Sequence, residues 1–274
     1  MAGHTIGIYL KERGHKVVGF GRKKSPYFDS IIGDARNIKL LEKIIKENKF
    51  DFVVNCIGIL NHFAEENKDI ATFINSFIPH YLAGITEKSH TQIVHISTDC
   101  VFSGKKGRYK EDDFCDGETF YDRSKALGEL MDKKNLTFRN SIIGPDINPD
   151  GIGLLNWFLQ QNEEVNGFTK SIWTGQTTLQ LAKTIEEATK VGVCGLYNTV
   201  PNLSISKYDL LKLFNNSFRG NSLKINKIEG LAVDKSLIRT KFDFKYIIPD
   251  YQTMMHELYE WIYEHKSMYP HYNL

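Results

Sequence analysis

Residues 91–104 read TQIVHISTDCVFSG and residues 121–129 read YDRSKALGE. The first stretch is a β-rich apolar run ending on Ser97, Thr98 and Asp99. A hydroxyl at the carboxyl end of a parallel strand lies where open α/β sheets bind their ligands. The second stretch predicts a helix, on which residues four apart share a face, so Tyr121 and Lys125 project together. A cation beside a phenol favours the ionised form. The pair therefore predicts a lowered Tyr121 pKa and a usable acid or base at neutral pH. A loop between the two stretches can bring the Thr98 and Tyr121 hydroxyls to one carbonyl oxygen. The spacing alone decides little, because Tyr208 also has a lysine at +4, Lys212, in an ordinary amphipathic run. Tyr208 has no comparable hydroxyl-bearing strand upstream.

Working outward, β-rich runs alternate with amphipathic stretches. Residues 2–13 predict a helix with Gly14 at its end, HKVVGF (15–20) a buried strand, and 37–48 a helix capped by Asn37. DFVVNCIG (51–58) predicts a strand, then a long helix runs from about 67 to 88. A strand at 91–97, a helix at 121–133 and a strand at 136–143 complete the pattern. Such alternation predicts βαβ units and a parallel sheet. Beyond Gly144-Pro145, residues 151–162, 177–190, 206–217 and 250–265 read as helical and 195–200 as a strand. The expected fold is α/β: a Rossmann-like doubly wound parallel sheet with a smaller C-terminal substrate lobe. Residues 1–144 form the dinucleotide-binding domain, with 177–200 returning to it, and 145–274 form mainly the substrate lobe.

Composition excludes several classes. At 274 residues, 41% hydrophobic and 25% charged, the chain is long enough for one large domain and ordinary for a globular one. A formal net charge of +2 supplies no electrostatic footprint for nucleic acid or an anionic membrane. Cys56, Cys100, Cys115 and Cys194 are too scattered for a disulfide framework or a zinc site. No apolar run reaches the roughly 18 residues of a membrane helix, and no signal-peptide core opens the sequence. A reducing, cytoplasmic setting is expected. His4, His62 and His95 lack metal-ligand spacing, and no metal site is read from them. Glu111, Asp112 and Asp113 read as surface charge. Lys105, Lys106, Arg108 and Lys110 read as a solvated loop or as contacts to a diphosphate. The tail helix, with Tyr251, Leu258, Trp261 and Ile262, suits core packing or a homodimer.

The strand followed by Ser-Thr-Asp-x-Val-Phe-x-Gly, then Tyr-x-x-x-Lys-x-x-x-Glu ending at Glu129, resembles the extended short-chain dehydrogenase/reductases. Within them it is most similar to the dTDP-4-dehydrorhamnose reductase branch. Further matches lie at Gly33-Asp34, Val54-Asn55-Cys56-Ile57-Gly58, Asn75 with Pro79, Leu82 and Ala83, and Arg139-Asn140-Ser141 with Gly144. The resemblance implies Thr98, Tyr121 and Lys125 as the catalytic set. Tyr121 would protonate a sugar ketone as hydride arrives, Lys125 would hold the nicotinamide ribose, and Thr98 would hydrogen-bond the same oxygen. It implies cofactor contacts from Gly3, His4, Asp34, Ala35, Asn55, Cys56, Ile57, Gly58, Asn75, Tyr121 and Lys125. Substrate contacts are expected from Asp99, Val101, Phe102 and Ser141, with Trp173 as an aromatic wall or a packing residue.

The branch's cofactor loop follows a first strand and reads Gly-x-x-Gly-x-x-Gly. Met1-Ala2-Gly3-His4 matches only its end, so the first strand and most of the glycine loop are absent from the sequence. The expectation is that Met1 is an internal methionine of a longer natural protein; the alternative is a chain without its pyrophosphate cradle. Without that central strand its neighbours should stand about 10 Å apart, two strand spacings. Arg22, Lys23 and Lys24 follow the 15–20 strand, and no acidic residue ends it to bond a ribose 2′-hydroxyl. Basic residues there suit a 2′-phosphate, so NADPH is expected, with NADH as the alternative. Two departures, Thr177 for a proline and Ile142 for an aromatic, keep the sugar open. The expected activity is NADPH-dependent reduction of a nucleotide-linked 4-keto-6-deoxy sugar in surface polysaccharide synthesis, with a nucleotide-sugar substrate as partner. The alternatives are an epimerase or dehydratase of the same superfamily, or a non-catalytic regulatory relative. Asp99-Cys100 stands against a dehydratase, which usually presents Asp-Glu there.

Overall fold

A computed structural model describes residues 1–272. Helix α1 (Ala2–Glu12) closes at Arg13, and Gly14 then takes φ +87°, a left-handed turn that costs glycine no Cβ clash. Strands β1 (Val18–Gly21) and β2 (Asp29–Ile32) pair in parallel. β1 is half-buried rather than the buried strand expected, and β2 is a short strand without an apolar run of its own. Helix α2 (Ile38–Asn48) starts as predicted: the Asn37 side chain accepts the Leu40 N–H. Strand β3 (Phe52–Asn55) leads to α3 (Asn61–Glu66) and α4 (Lys68–Ala71).

The long helix expected over 67–88 is not uniform. A π-helical turn, Thr72–Phe77, separates α4 from α5 (Ile78–Thr86). Pro79, which lacks an N–H for the i→i−4 ladder, sits in the first turn of α5, where that donor is not needed. After strand β4 (Gln92–Ile96), a 3₁₀ turn at Asp99–Val101 precedes α6 (Phe120–Leu127). A reciprocal capping box between Thr119 and Asp122 starts α6. It ends at Gly128, short of the predicted 133. A Cβ on Gly128 would lie 1.9 Å from the Asn75 carbonyl oxygen, so glycine lets α6 reach the π turn.

The remainder runs β5 (Leu136–Arg139), β6 (Ile142–Ile143), α7 (Leu154–Leu159), β7 (Val165–Phe168), β8 (Ser171–Trp173), β9 (Gln176–Thr177), α8 (Thr178–Val191) and β10 (Gly195–Asn198). Then come β11 (Ile205–Ser206), α9 (Lys207–Arg219), β12 (Ile225–Ile228), β13 (Val233–Asp234) and α10 (Tyr251–Glu264). The tail residues Leu258 and Ile262 are wholly buried, in one apolar cluster with Trp173, Phe158 and Phe214.

The chain is an α/β protein whose main strands are parallel, in two separate blocks. Four strands stand in the order β10-β5-β4-β3, and β1 pairs only with β2. Among the described residues no strand bridges β1 and β3, the break expected where a central strand is absent. The Phe28 ring sits between α1 and β1: a Cβ on Gly7 or on Gly19 would meet it at 2.5 Å. Ile6 and Leu10 of α1 join Val94, Leu136, Phe138, Leu181 and Ile185 in the core. α8 packs against α1, and β10 hydrogen-bonds β5.

Candidate active site

Strand β4 ends at Ile96, and its continuation carries Thr98, 8% exposed. The Thr98 hydroxyl caps the 3₁₀ turn by accepting the Cys100 N–H at 3.1 Å, and donates to Asp99 Oδ1 at 3.1 Å. Asp99 is buried, which raises its carboxyl pKa, while the ammonium groups of Lys207 and Lys235 pull the other way. Helix α6 brings Tyr121 to this turn, 7% exposed among Ala64, Ala71 and Cys100.

Here the electrostatics depart from expectation. Burial pushes the Tyr121 phenol upward, helped by Cys100, Asp99 and Asp122, and only the neighbouring Thr98 hydroxyl opposes. Lys125, 4% exposed, is drawn the other way, down to about 8, because burial disfavours its charge. Its ammonium donates to the Ile96 carbonyl at 2.8 Å. Both groups are thus biased toward neutrality, and the lowered phenol pKa predicted from their spacing is corrected by burial.

Behind the pair lies a network that the motif reading left without a role. Arg139 and Glu129, with side chains 1% and 0% exposed, form a two-pronged ion pair at 2.9 and 2.6 Å. Ser97 donates to the same carboxylate at 2.6 Å. This ties β5, α6 and the residue before Thr98 into one unit. Glu111, expected at the surface, is 6% exposed instead; it accepts the Thr240 hydroxyl at 2.6 Å and the Asn198 N–H at 3.2 Å. A buried carboxylate needs such donors, and they come from distant segments.

The expected cofactor residues divide by position. Gly3 is exposed at the start of α1, a helix whose N-terminal N–H groups have no side-chain cap. His4 turns away to Tyr269 Oη at 2.8 Å, and burial holds its pKa near 3. Arg22 and Lys23 are exposed and, among the described residues, form no ion pair. Asp34 is engaged by Arg36 at 2.7 Å, and Ala35 is packed at 7% exposure. Asn55 binds the Ile57 N–H, and Gly3 faces Cys56, whose thiol burial pushes up to about 11. Gly58 lies beside Asn75. The Asn75 side chain is committed to protein, bonding the Ile59 N–H at 2.8 Å, the Ile59 carbonyl at 2.9 Å and Ser124 at 3.0 Å. It is a clamp from the π turn onto the 56–59 loop and α6, rather than a free ligand contact.

Three residues expected to contact substrate have their side chains packed inside the protein. Val101 and Phe102 are fully buried; Phe102 stacks on Tyr109 at 4.1 Å and lies under the Arg139 guanidinium. Their side chains anchor the loop that presents Thr98. Trp173, 3% exposed, packs on Tyr251 and offers no open wall. Lys207 lies over its ring at 5.1 Å. Ser141 remains partly exposed at the end of β5. Tyr208, the rival with a lysine at +4, has Lys212 and Lys227 each 5.7 Å from its ring centre and packs against Gly167. Lys106 and Lys105 pair with Asp113 and Glu118, as a solvated loop would.

Residues 2–236 match the family described as RmlD substrate binding domain. The chain is 27% identical over 222 residues to the probable low-salt glycan biosynthesis reductase Agl14 of Haloferax volcanii, covering 76% of this chain and 74% of that protein. In structure it is similar to a dTDP-4-dehydrorhamnose reductase from Bacillus anthracis in complex with NADP (TM-score 0.72, 18% identity, 89% of this chain and 98% of that one). It is also similar to UDP-glucose 4-epimerase from Thermotoga maritima (TM-score 0.79, 14% identity, 97% and 96%). At these identities the two structures speak for the fold. With the family match spanning most of its length, the chain belongs to the RmlD substrate-binding domain family.

Proposed function

We propose that the chain reduces the keto group of a nucleotide-linked 4-keto-6-deoxy sugar with NADPH, in surface polysaccharide synthesis. The observation that carries this reading is that Thr98 lies beside Tyr121 at the end of β4, near enough to ease the phenol's ionisation, with Lys125 buried and bonded to the Ile96 carbonyl of the same strand. The glycan-biosynthesis relative supports a reductase over an epimerase.

The residues present fit a nicotinamide dinucleotide at one end better than at the other. Lys125, Asn55 and the 56–58 segment would hold the nicotinamide ribose, and Arg22 and Lys23 suit a 2′-phosphate. The uncapped N–H groups of α1 suit a pyrophosphate, with Gly3 leaving the approach open. When bound, the nicotinamide supplies the hydride. Tyr121 supplies the proton to the carbonyl oxygen. The Thr98 hydroxyl turns its donor from Asp99 to that oxygen, and the buried setting strengthens both interactions. Phe102 and Arg139 keep the loop rigid beneath them.

The test is loss of NADPH absorbance with a dTDP-linked 4-keto-6-deoxy sugar. Wild-type protein should turn over, and Tyr121→Phe should lose roughly 10²–10⁴-fold in kcat with its fold intact. Near-normal turnover in Tyr121→Phe would sink the assignment.

A further inference from the structure

His95 is fully buried near the carboxyl end of β4 and lies between two residues of the proposed site. Its Nδ1 is 3.2 Å from the Asn55 side-chain nitrogen, and its Nε2 is 3.5 Å from the Lys125 amine. The Asn55 amide has a defined orientation. Its oxygen accepts the Ile57 N–H at 3.2 Å, so its NH₂ group must face His95. Turning the amide over would set its NH₂ against the Ile57 N–H, donor against donor. His95 Nδ1 is therefore the acceptor, and a neutral imidazole then carries its only proton on Nε2.

That N–H points at Lys125. Against a neutral amine it donates to the nitrogen lone pair. Against an ammonium, which has only donors, it is opposed. We infer that His95 is a positioning residue that holds Lys125 toward its neutral form, through a tautomer imposed by Asn55. The inference rests on the reductase reading only for its catalytic consequence; the tautomer and its effect on Lys125 stand without it.

Glu129 just after α6 and Cys56 after β3 favour the ammonium, and the Ile96 carbonyl accepts from it. Burial and the His95 N–H oppose it. His95 itself is faced by Lys125 and by His80 of α5, both of which disfavour a second proton on the ring, as does burial. A neutral imidazole with one assigned proton is the form these neighbours support.

The measurement is nitrogen NMR on protein labelled in histidine and lysine side chains. His95→Gln identifies the His95 signals by their disappearance. The wild-type ring should show a protonated Nε2 and an unprotonated Nδ1 across neutral pH. A protonated Nδ1, or both nitrogens protonated, overturns the inference. The Lys125 amine is then titrated in both proteins. His95→Gln offers an amide oxygen to the amine, so the Lys125 midpoint should rise by about one pH unit or more. An unchanged or lowered midpoint in a folded variant also overturns it. If the variant turns over ketone, the acidic limb of kcat should move with the midpoint. A normal tautomer in a protein without reductase activity would instead fault the functional reading alone.

Discussion

Lys125→Met should make the protein more stable at neutral pH. Lys125 is 4% exposed and its pKa falls from 10.5 in the unfolded chain to about 8 in the fold. Each pKa unit is worth about 1.4 kcal/mol, so carrying the charge into the fold costs roughly 3 kcal/mol below the folded value. Methionine has a similar length and no charge to bury. It leaves the Ile96 carbonyl without its donor, which takes back about 1–2 kcal/mol. The net gain at pH 7 is therefore about 1–2 kcal/mol. The sign with pH follows from proton counts. Between about pH 8 and 10.5 the unfolded chain holds the lysine proton and the fold does not, so wild-type stability from this group rises with pH across that window. The advantage of Lys125→Met should shrink over the same range and reverse near its top, where only the lost hydrogen bond remains. Urea denaturation of both proteins at pH 7 and at pH 10 reads this directly, from midpoints at equal slope. A variant less stable than wild type at pH 7, or a difference independent of pH, would refute the argument. A stabilising substitution at a residue proposed for catalysis is the trade-off expected of a functional group held in an unfavourable place.

Tyr208→Phe should leave ketone turnover within about twofold of wild type, since cations packed on a ring are the ordinary use of such a pair; a loss as large as that of Tyr121→Phe would mean the wrong tyrosine was chosen. Glu129→Gln leaves Arg139 buried without its counter-charge and should cost about 3–5 kcal/mol in chemical denaturation, while Glu129→Leu combined with Arg139→Leu recovers most of it. A single variant as stable as wild type would show that the pair contributes nothing. Gly128→Ala should lower stability by about 1–3 kcal/mol or more, because the new Cβ meets backbone rather than a movable side chain. Gly84→Ala, exposed in α5 with nothing within 4 Å of the added Cβ, should raise it by roughly 0.5–1 kcal/mol. Equal effects at the two glycines would contradict the packing described for α6.

What could be read from the sequence was local. The Asn37 cap, Gly14 at the end of α1 and the Tyr121–Lys125 face are set within one turn of helix, where spacing and geometry coincide. The division between β1 and β3 was readable too, as a place in a strand order with nothing to occupy it. What escaped depends on partners far along the chain. Glu111 reads as surface charge until Thr240 and Asn198 are brought to it. The short strands β7 and β12 exist by pairing with each other across a long connection, and neither has a strong pattern of its own. Val101 and Phe102 share a motif with Thr98, yet the strand-end loop turns one side chain toward the site and packs the other two beneath it. A motif names a segment; the fold decides which of its side chains face a ligand.

That distinction reaches the chemistry as well. Spacing put Tyr121 beside a cation and implied a phenol that ionises easily, a state suited to a base. Burial acts on both partners: it favours a neutral phenol and lowers the Lys125 pKa to about 8. For ketone reduction a neutral phenol is the required resting state, since the donor must hold its proton until charge develops on the substrate oxygen. An alkoxide is far more basic than a phenolate, so transfer from even a weakly acidic phenol runs downhill once hydride has arrived. The same burial would hinder the reverse oxidation, which needs Tyr121 ionised beforehand. Burial thus keeps Tyr121 in the protonated form that reduction consumes, with the Thr98 hydroxyl easing its ionisation.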